Sequence, residues 1–171
     1  MRAKLLMLLM SLCVAAAGAG VASAQTDDDD DDLSGGALAA HMGTWKLNEA
    51  RSHFTKGATK NHTVVYERAG DLDTTKVIVD GTDASGNATH NEWTGKFNGV
   101  YYPVTGDPIS DMRMYDRVND RTLSITGKRD GKVVLTGTIT VSRNGKMRTV
   151  TTSVLNAQGR WIRNTAVYDK Q

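Results

Sequence analysis

The sequence predicts an all-β protein built as a meander of about ten short antiparallel strands. Runs rich in Val, Thr, Ile and Tyr recur throughout residues 41–171. Tight-turn signals such as Asn98-Gly99 and Asp130-Gly131 separate these runs. Within several runs apolar and polar residues alternate, which is typical of a sheet with one buried face. This spacing suits either a sandwich or an up-and-down barrel.

Residues 1–24 are predicted to be a cleaved export signal. Arg2 and Lys4 form a basic start, residues 5–17 are almost wholly apolar, and residues 22–24 read Ala-Ser-Ala, the small-x-small pattern of a cleavage site. The apolar stretch is shorter than the roughly 20 residues of a permanent membrane span. We therefore expect a periplasmic or secreted protein whose mature form has no integral membrane span.

The mature chain is expected to begin at Gln25 and to act as a monomer. Cleavage removes Cys13, the only cysteine, so the mature protein has no disulfide, thiol nucleophile or cysteine-ligated metal. An exported domain without disulfides depends on its core for stability, and the length remaining after the tail is sufficient for one.

Residues 25–40 are predicted to be a disordered acidic tail and linker. Asp27 to Asp32 form an unbroken run of aspartates that repel one another. Calcium binding is the alternative, but calcium loops space their ligands with intervening residues and a turn glycine. Without the leader and this run, the chain keeps 19 basic and 13 acidic side chains, a net charge of +6. That charge forms no basic stripe, so we expect no nucleic-acid partner.

The strands follow from the positions of the turns. Asn48 to Gly57 lacks strand character and is predicted to hold a short helix or a lid-like loop. The predicted strands are Thr44–Leu47, Thr63–Glu67, Thr74–Val79, Ala88–Phe97, Val100–Tyr102, Met112–Val118, Thr122–Lys128, Val133–Val141, Met147–Val154 and Ile162–Tyr168. Neither face of the last strand is purely polar, which favours a curved sheet with a partly polar interior.

The two ends of the domain resemble the calycins, meaning the lipocalins and the intracellular fatty-acid-binding proteins. Residues 43–47 read Gly-Thr-Trp-Lys-Leu, and residues 166–170 read Ala-Val-Tyr-Asp-Lys. The chain is also similar to exported bacterial lipocalin-like proteins of unassigned role. The resemblance implies a single up-and-down antiparallel barrel of about 8–10 strands over residues 41–171. It further implies that Gly43 and Trp45 form a structural motif, with the indole packed across the closed end.

The terminal motif departs from the fatty-acid-binding branch, in which an arginine and a tyrosine hold the ligand carboxylate. Tyr168 matches the tyrosine, but Ala166 stands where the arginine would be. Arg113, Arg148 and Arg163 are substitute cations, and the pattern does not decide which of them faces inward.

Two further strands carry candidate site residues. His90 and Glu92 share a strand face, either as a general base with its orienting group or on a solvated outer face, which we favour. In the next long strand, one face collects charged and aromatic side chains: Asp111, Arg113, Tyr115 and Arg117. We expect that face on the exterior, so that Met112 and Met114 line a pocket.

These features predict a binding protein for a small apolar or amphipathic ligand, with Tyr168, Arg163 and His90 orienting it beside Met112 and Met114. The alternatives are a barrel enzyme, such as an isomerase, cyclase or hydrolase of a lipophilic substrate, or a ligand-free structural or inhibitory envelope protein. We favour a non-enzymatic role and assign no catalytic residue. The spacing of the four histidines predicts no metal, and no motif predicts a cofactor.

Overall fold

A computed structural model describes residues 39–171, which form one closed barrel of ten antiparallel strands. Each strand pairs with its neighbours in sequence, and β1 closes the barrel against β10. The strands are β1 (Gly43–Leu47), β2 (Lys60–Arg68), β3 (Thr75–Thr82), β4 (Ala88–Gly95), β5 (Asn98–Thr105), β6 (Met112–Asn119), β7 (Thr122–Arg129), β8 (Lys132–Val141), β9 (Met147–Leu155) and β10 (Trp161–Lys170). The predicted up-and-down barrel is confirmed. The predicted leader and acidic run lie outside the described residues.

The predicted short helix after the first strand is also confirmed. A 3-10 helix, Glu49–Arg51, follows β1, and the Asn48 side chain accepts a hydrogen bond from the Arg51 amide at 3.2 Å. Next to it, the Ser52 hydroxyl donates to the Asn48 carbonyl at 2.7 Å and accepts from the Val167 amide at 2.9 Å. The β1–β2 connection is thereby fastened to the backbone edge of β10, where His53 also forms a β-bridge with Thr165.

Strand glycines let the sheet bend into a closed cylinder. A Cβ added at Gly81 in β3 would overlap the backbone oxygen of Lys60, and one added at Gly137 in β8 would overlap that of Thr151. Neighbouring backbones therefore approach more closely at these two points than any side chain allows. A closed barrel needs such kinks, and the β2–β3 register shifts beside the first of them.

Aromatic side chains fill the interior at one end of the barrel. Trp45 and Trp93 are fully buried. Trp93 contacts the Tyr115 ring edge-on with centroids 4.7 Å apart and stacks on Phe97 at 6.2 Å. This end carries the even-to-odd connections, such as the β4–β5 turn that contains Phe97. Among residues 39–171, no helix has the length and apolar character needed to cross a membrane.

Candidate ligand-binding cavity

The other end of the barrel opens into a cavity of about 600 Å³. Its mouth is formed by residues 54–59 of the β1–β2 connection, residues 107–109 between β5 and β6, and the β9–β10 turn. In an up-and-down barrel these odd-to-even connections all lie at one end. The cavity therefore has a single mouth, opposite the aromatic floor.

Aliphatic side chains form about half of the strand-borne wall of the cavity, and polar and aromatic side chains form the rest. The aliphatic ones come from alternate positions of six strands, because successive residues of a strand point to opposite faces. They are Val64, Val77, Val79, Ile125, Leu135, Ile139, Val150, Val154 and Ile162. Such a mixed wall suits an apolar or amphipathic occupant.

Arg113 and Asp107, two charged side chains at the cavity, compensate each other's charge. Arg113 of β6 is buried, and its Nη2 donates to Asp107 Oδ2 at 2.6 Å while Nη1 donates to Asn91 Oδ1 at 3.3 Å. Burial lowers the pKa of Arg113, but Tyr115 and Asp107 more than offset this, so the pKa stays above its ordinary value. The Arg113–Asp107 pair therefore brings no net charge to the cavity.

The loop that carries Asp107 is held in place from outside the barrel. Arg129 Nε donates to the Ile109 carbonyl at 2.8 Å, and its Nη2 donates to the Asp107 carbonyl at 3.0 Å. The Asp107 carboxylate also accepts from the backbone amides of Ile109 and Ser110. The β5–β6 connection is thus a fixed part of the mouth.

A second arginine, Arg148 of β9, lies at the floor of the cavity and is only 1% exposed. Its guanidinium carbon lies 5.1 Å from the Trp45 ring centroid, 4.8 Å from that of Tyr66 and 4.9 Å from that of Tyr168. The backbone register places Arg148 directly opposite Tyr168 on β10. Three aromatic rings therefore surround one buried cation.

The tyrosine hydroxyls of this floor stay protonated at neutral pH. Burial raises the pKa of Tyr168 to about 12, although Arg148 lowers it in part. Burial also raises the pKa of Tyr66, and the neighbouring Tyr115 raises it further. Both side chains line the cavity, so each can donate a hydrogen bond to an occupant.

His41 lies beneath this floor, behind Trp45, and is fully buried. Its carbonyl accepts the Trp45 indole N–H at 2.9 Å, whereas neither ring nitrogen has a partner among the described residues. Burial, followed by the charges of Arg148 and Lys170, lowers its pKa from 6.5 to about 3. His41 is therefore neutral at physiological pH.

Of the five residues predicted to orient the ligand or line its pocket, Tyr168 is the one that lines the cavity. Trp45 is buried at the floor, and Gly43 begins β1 with φ +103°, a conformation that favours glycine. A Cβ at Gly43 would also lie 3.2 Å from Lys170 Cε. These are the positions that the structural motif implies; whether Tyr168 contacts a ligand stays a prediction.

The face assignment of β6 is corrected by the structure. Arg113 and Tyr115 are buried and point into the cavity, so Met112 and Met114 lie on the outer face and do not line it. Arg113 can be accommodated inside because Asp107 and Asn91, from two other elements, meet its guanidinium. The two methionines are half-buried on the outer face.

His90 and Arg163 also lie on the outer face. Their sequence neighbours Thr89, Asn91 and Asn164 line the cavity. His90 is exposed, with its Nδ1 2.7 Å from Asp80 Oδ1. Hydrogen bonding to Asp80 raises the pKa of His90.

Because His90 and Glu92 both lie on the outer face, they do not form an acid–base pair that faces the cavity. Glu92 shares the outer face with His90, 3.6 Å away, and forms an ion pair with Lys76 at 3.0 Å. The favoured interpretation of a solvated outer face is therefore confirmed. Within residues 39–171 no group of three or more His, Cys, Asp or Glu side chains is placed to hold a metal ion.

Comparison with known proteins gives structural likenesses only. No protein-family model and no curated protein matches the chain. Among solved structures, EF1p2_mFAP2b bound to DFHBI has a TM-score of 0.46 at 11% identity, covering 81% of this chain and 99% of that one. The redesigned β-barrel mFAP1 bound to DFHBI has a TM-score of 0.43 at 13% identity, covering 78% and 98%. Lobster apocrustacyanin A1 has a TM-score of 0.41 at 11% identity, covering 84% and 69%. All three likenesses are distant, so the fold assignment depends on the strand order and register.

Proposed function

We propose that this ten-stranded barrel, whose closed meander fits a calycin-like fold, binds one small apolar or amphipathic molecule in its cavity. The observation that carries the proposal is the open cavity of about 600 Å³ whose wall combines aliphatic side chains with a smaller number of placed polar groups. Small-molecule sites have volumes of about 300–1,000 Å³, apolar walls and a few placed polar groups. A barrel filled with side chains, acting only through its outer surface, would lack this space.

Burial of apolar ligand surface supplies the driving force. A ligand that buries about 400 Å² of apolar surface gains about 10 kcal/mol. Association costs at least about 4 kcal/mol in lost translational and rotational freedom. At most about 6 kcal/mol remains, which corresponds to a Kd no lower than about 40 μM, so tighter binding requires a polar contact as well.

We further propose that the protein acts as an exported monomer. The basic start, apolar stretch and Ala-Ser-Ala sequence at residues 22–24 support export. N-terminal sequencing of the protein from the cell envelope or medium tests this, and we expect a start at Gln25. A chain that retains Met1 in the cytoplasm would contradict export, and a dimer mass in light scattering would contradict the monomer.

Titration with the neutral dye N-phenyl-1-naphthylamine, which fluoresces in apolar surroundings, tests the binding function. Ala166 lines the cavity, whereas Arg163 on the same strand points outward, so Ala166→Phe and Arg163→Phe form a matched pair. We expect saturable one-to-one binding that Ala166→Phe weakens at least about tenfold and Arg163→Phe changes by less than about twofold.

Circular dichroism and thermal melting establish that both variants fold, and Ala166→Leu replaces Ala166→Phe if the larger ring prevents folding. Absence of saturable binding by the wild-type protein would overturn the proposal. Equal affinity in a folded Ala166→Phe variant would place the dye elsewhere and overturn it as well.

A further inference from the structure

Two asparagines at the cavity have an occupied side-chain oxygen and an open side-chain N–H group. Asn91 of β4 is 5% exposed, and its Oδ1 accepts from Arg113 Nη1 at 3.3 Å. Asn164 of β10 accepts at Oδ1 from the Thr55 backbone amide at 2.8 Å. A guanidinium and a backbone amide only donate, so both asparagines are held with their oxygens toward these partners. Their Nδ2 groups have no partner among residues 39–171, and both side chains line the cavity.

Asn156, in the β9–β10 turn, repeats this arrangement at the mouth. Its Oδ1 accepts from the backbone amides of Gln158 at 3.0 Å and Arg160 at 2.9 Å. Its Nδ2 group likewise has no partner within the described part of the chain. Three of the four asparagines that line the cavity therefore offer an occupant N–H donors, while their carbonyl oxygens are used by the protein itself.

The carboxylate at the cavity does not balance these donors. Asp107 Oδ1 accepts from the Ile109 amide at 3.0 Å, and its Oδ2 accepts from the amide and hydroxyl of Ser110 and from Arg113 Nη2. Four protein donors thus use the acceptor capacity of one carboxylate. The other uncharged polar side chains of the strand-borne wall can both donate and accept, and they are Asn61, Thr89 and Thr152. The open polar groups of the cavity are therefore biased toward donors.

Asn91 and Asn164 lie on different walls of the cavity. In the closed ring of strands, three strands separate β4 from β10 on one side and five separate them on the other. Two separate oxygens of a ligand are therefore needed to meet the two amides. An occupant that covers these N–H groups without accepting from them leaves buried donors unpaired, which is costly.

We propose that Asn91 and Asn164 form a two-point donor site and that the ligand is an amphiphile with at least two separate acceptor oxygens of the ketone, ester or ether type. The apolar part of the ligand packs on the aliphatic side chains between the two walls. This inference rests on the proposed binding function and adds the chemical class that the cavity selects. A site built around placed hydrogen bonds rejects analogues that cannot make them more strongly than an apolar pocket does.

Two ten-carbon probes test the inference on the wild-type protein, by displacement of N-phenyl-1-naphthylamine at pH 8. The first, 2,9-decanedione, carries two acceptors and no donor. The second, 2,9-decanediol, has the same carbon skeleton and adds two O–H donors. A hydroxyl can accept from an asparagine N–H, but its own hydrogen then needs a further acceptor. We expect the dione to bind at least about fivefold more tightly than the diol.

Replacement of asparagine by aspartate removes the donor and keeps the oxygen. Asn164→Asp can still accept from the Thr55 amide, but a second, negatively charged oxygen replaces its N–H group and repels a ketone. Affinity for the dione should fall at least about tenfold in Asn164→Asp and in Asn91→Asp. Affinity for the diol should change by less than about twofold or increase, because its O–H groups can donate to the new carboxylate.

Asn144→Asp is the matched control. Asn144 lies in the β8–β9 turn at the end of the barrel opposite the mouth, and its Oδ1 accepts from the Lys146 amide at 3.1 Å. The substitution is chemically the same and lies away from the cavity, so it should change neither affinity. A merely structural role of Asn91 and Asn164 would change the affinities of dione and diol together.

The outcomes separate this inference from the function on which it rests. Three results would overturn the donor site and leave the binding function standing: a diol that binds as tightly as the dione, aspartate variants that weaken both probes equally, or bound dye that neither probe displaces. Absence of saturable dye binding would overturn both. Circular dichroism establishes that the variants fold. If Asn91→Asp does not, the wild-type comparison and Asn164→Asp on the other wall still decide the matter.

Discussion

The buried His41 should make this barrel less stable when the pH falls from neutral to about 5. The side chain is fully buried, and burial with the nearby charges of Arg148 and Lys170 lowers its pKa from 6.5 to about 3. Below pH 6.5 the unfolded chain therefore takes up a proton that the folded chain refuses. Stability contributed by the neutral imidazole is present at pH 7.5 and is lost as the pH falls toward 3.

The size of the effect follows from the two pKa values. A pH of 5 lies about 1.5 units below the ordinary pKa of 6.5 that His41 has in the unfolded chain. Each unit corresponds to about 1.4 kcal/mol. His41 should therefore cost the folded protein about 2 kcal/mol between pH 7.5 and pH 5. His41→Leu, which keeps a buried side chain of similar volume, should remove that part of the pH dependence.

Urea denaturation of the wild-type protein and of His41→Leu at pH 7.5 and pH 5 gives the stability that each protein loses on acidification. The difference between these two losses is the contribution of His41. His90→Gln is the control with the opposite sign, because Asp80 raises the pKa of His90 and its protonation stabilises the folded state at low pH. That variant should lose more stability on acidification than the wild-type protein. Equal losses for the wild type and His41→Leu, within about 0.5 kcal/mol, would refute the account of a neutral buried His41.

Three further predictions concern the barrel wall and mouth. Gly137→Ala should lower the free energy of unfolding by about 1–3 kcal/mol, because its Cβ would overlap the Thr151 backbone oxygen. Asp107→Asn should cost about 3 kcal/mol in the same urea assay, since Arg113 would lose its buried counter-charge. The double change Lys56→Glu and Arg160→Glu should slow association of an anionic ligand in stopped-flow mixing, with little effect on its dissociation rate.

Each of these has a clear opposing result. An unchanged urea midpoint for Gly137→Ala would show that the strands can separate at no cost there. Full stability of Asp107→Asn would mean that the Arg113 charge is compensated by other groups. An association rate that is independent of the mouth charges and of salt would remove their role in attracting the ligand.

The strand pattern was largely predictable because local signals determine it. Each turn contains residues that favour tight reversal, such as Asp130 with φ 51° and Gly131 with φ 76° in the β7–β8 turn. The alternation in β10 also separated its two faces, and the face that ends in Tyr168 lines the cavity. The resemblance of the two ends decided between a barrel and a sandwich, because local strand patterns do not indicate whether a sheet closes on itself.

The interior of β6 was mispredicted because its cause is not local. Arg113 and Tyr115 are less apolar than the methionines beside them, and hydrophobicity alone places Met112 and Met114 inside. The interior accepts Arg113 because Asp107 arrives from a loop six residues earlier. Pairwise compensation of this kind cannot be inferred from the period of one strand.

Arg148 carried a signal that sequence reasoning left unused. In β9, the alternate positions that include Arg148 also hold Val150, Thr152 and Val154, whereas the other alternate positions hold threonine and serine between Met147 and Leu155. The alternate positions that hold the valines indicate the inner face of the strand, and Arg148 on the same face therefore points inward. What the sequence does not contain is the absence of a carboxylate partner, which depends on the three-dimensional neighbours.

Native mass spectrometry of the protein purified from its own cells, before and after organic extraction, tests the central claim most directly. We expect one small apolar or amphipathic molecule bound per chain, which organic extraction releases for identification. Ala166→Phe should carry less of it than Arg163→Phe. A mass equal to that of the chain alone, unchanged after incubation with a lipid and metabolite extract, would contradict the claim that this barrel is a binding protein.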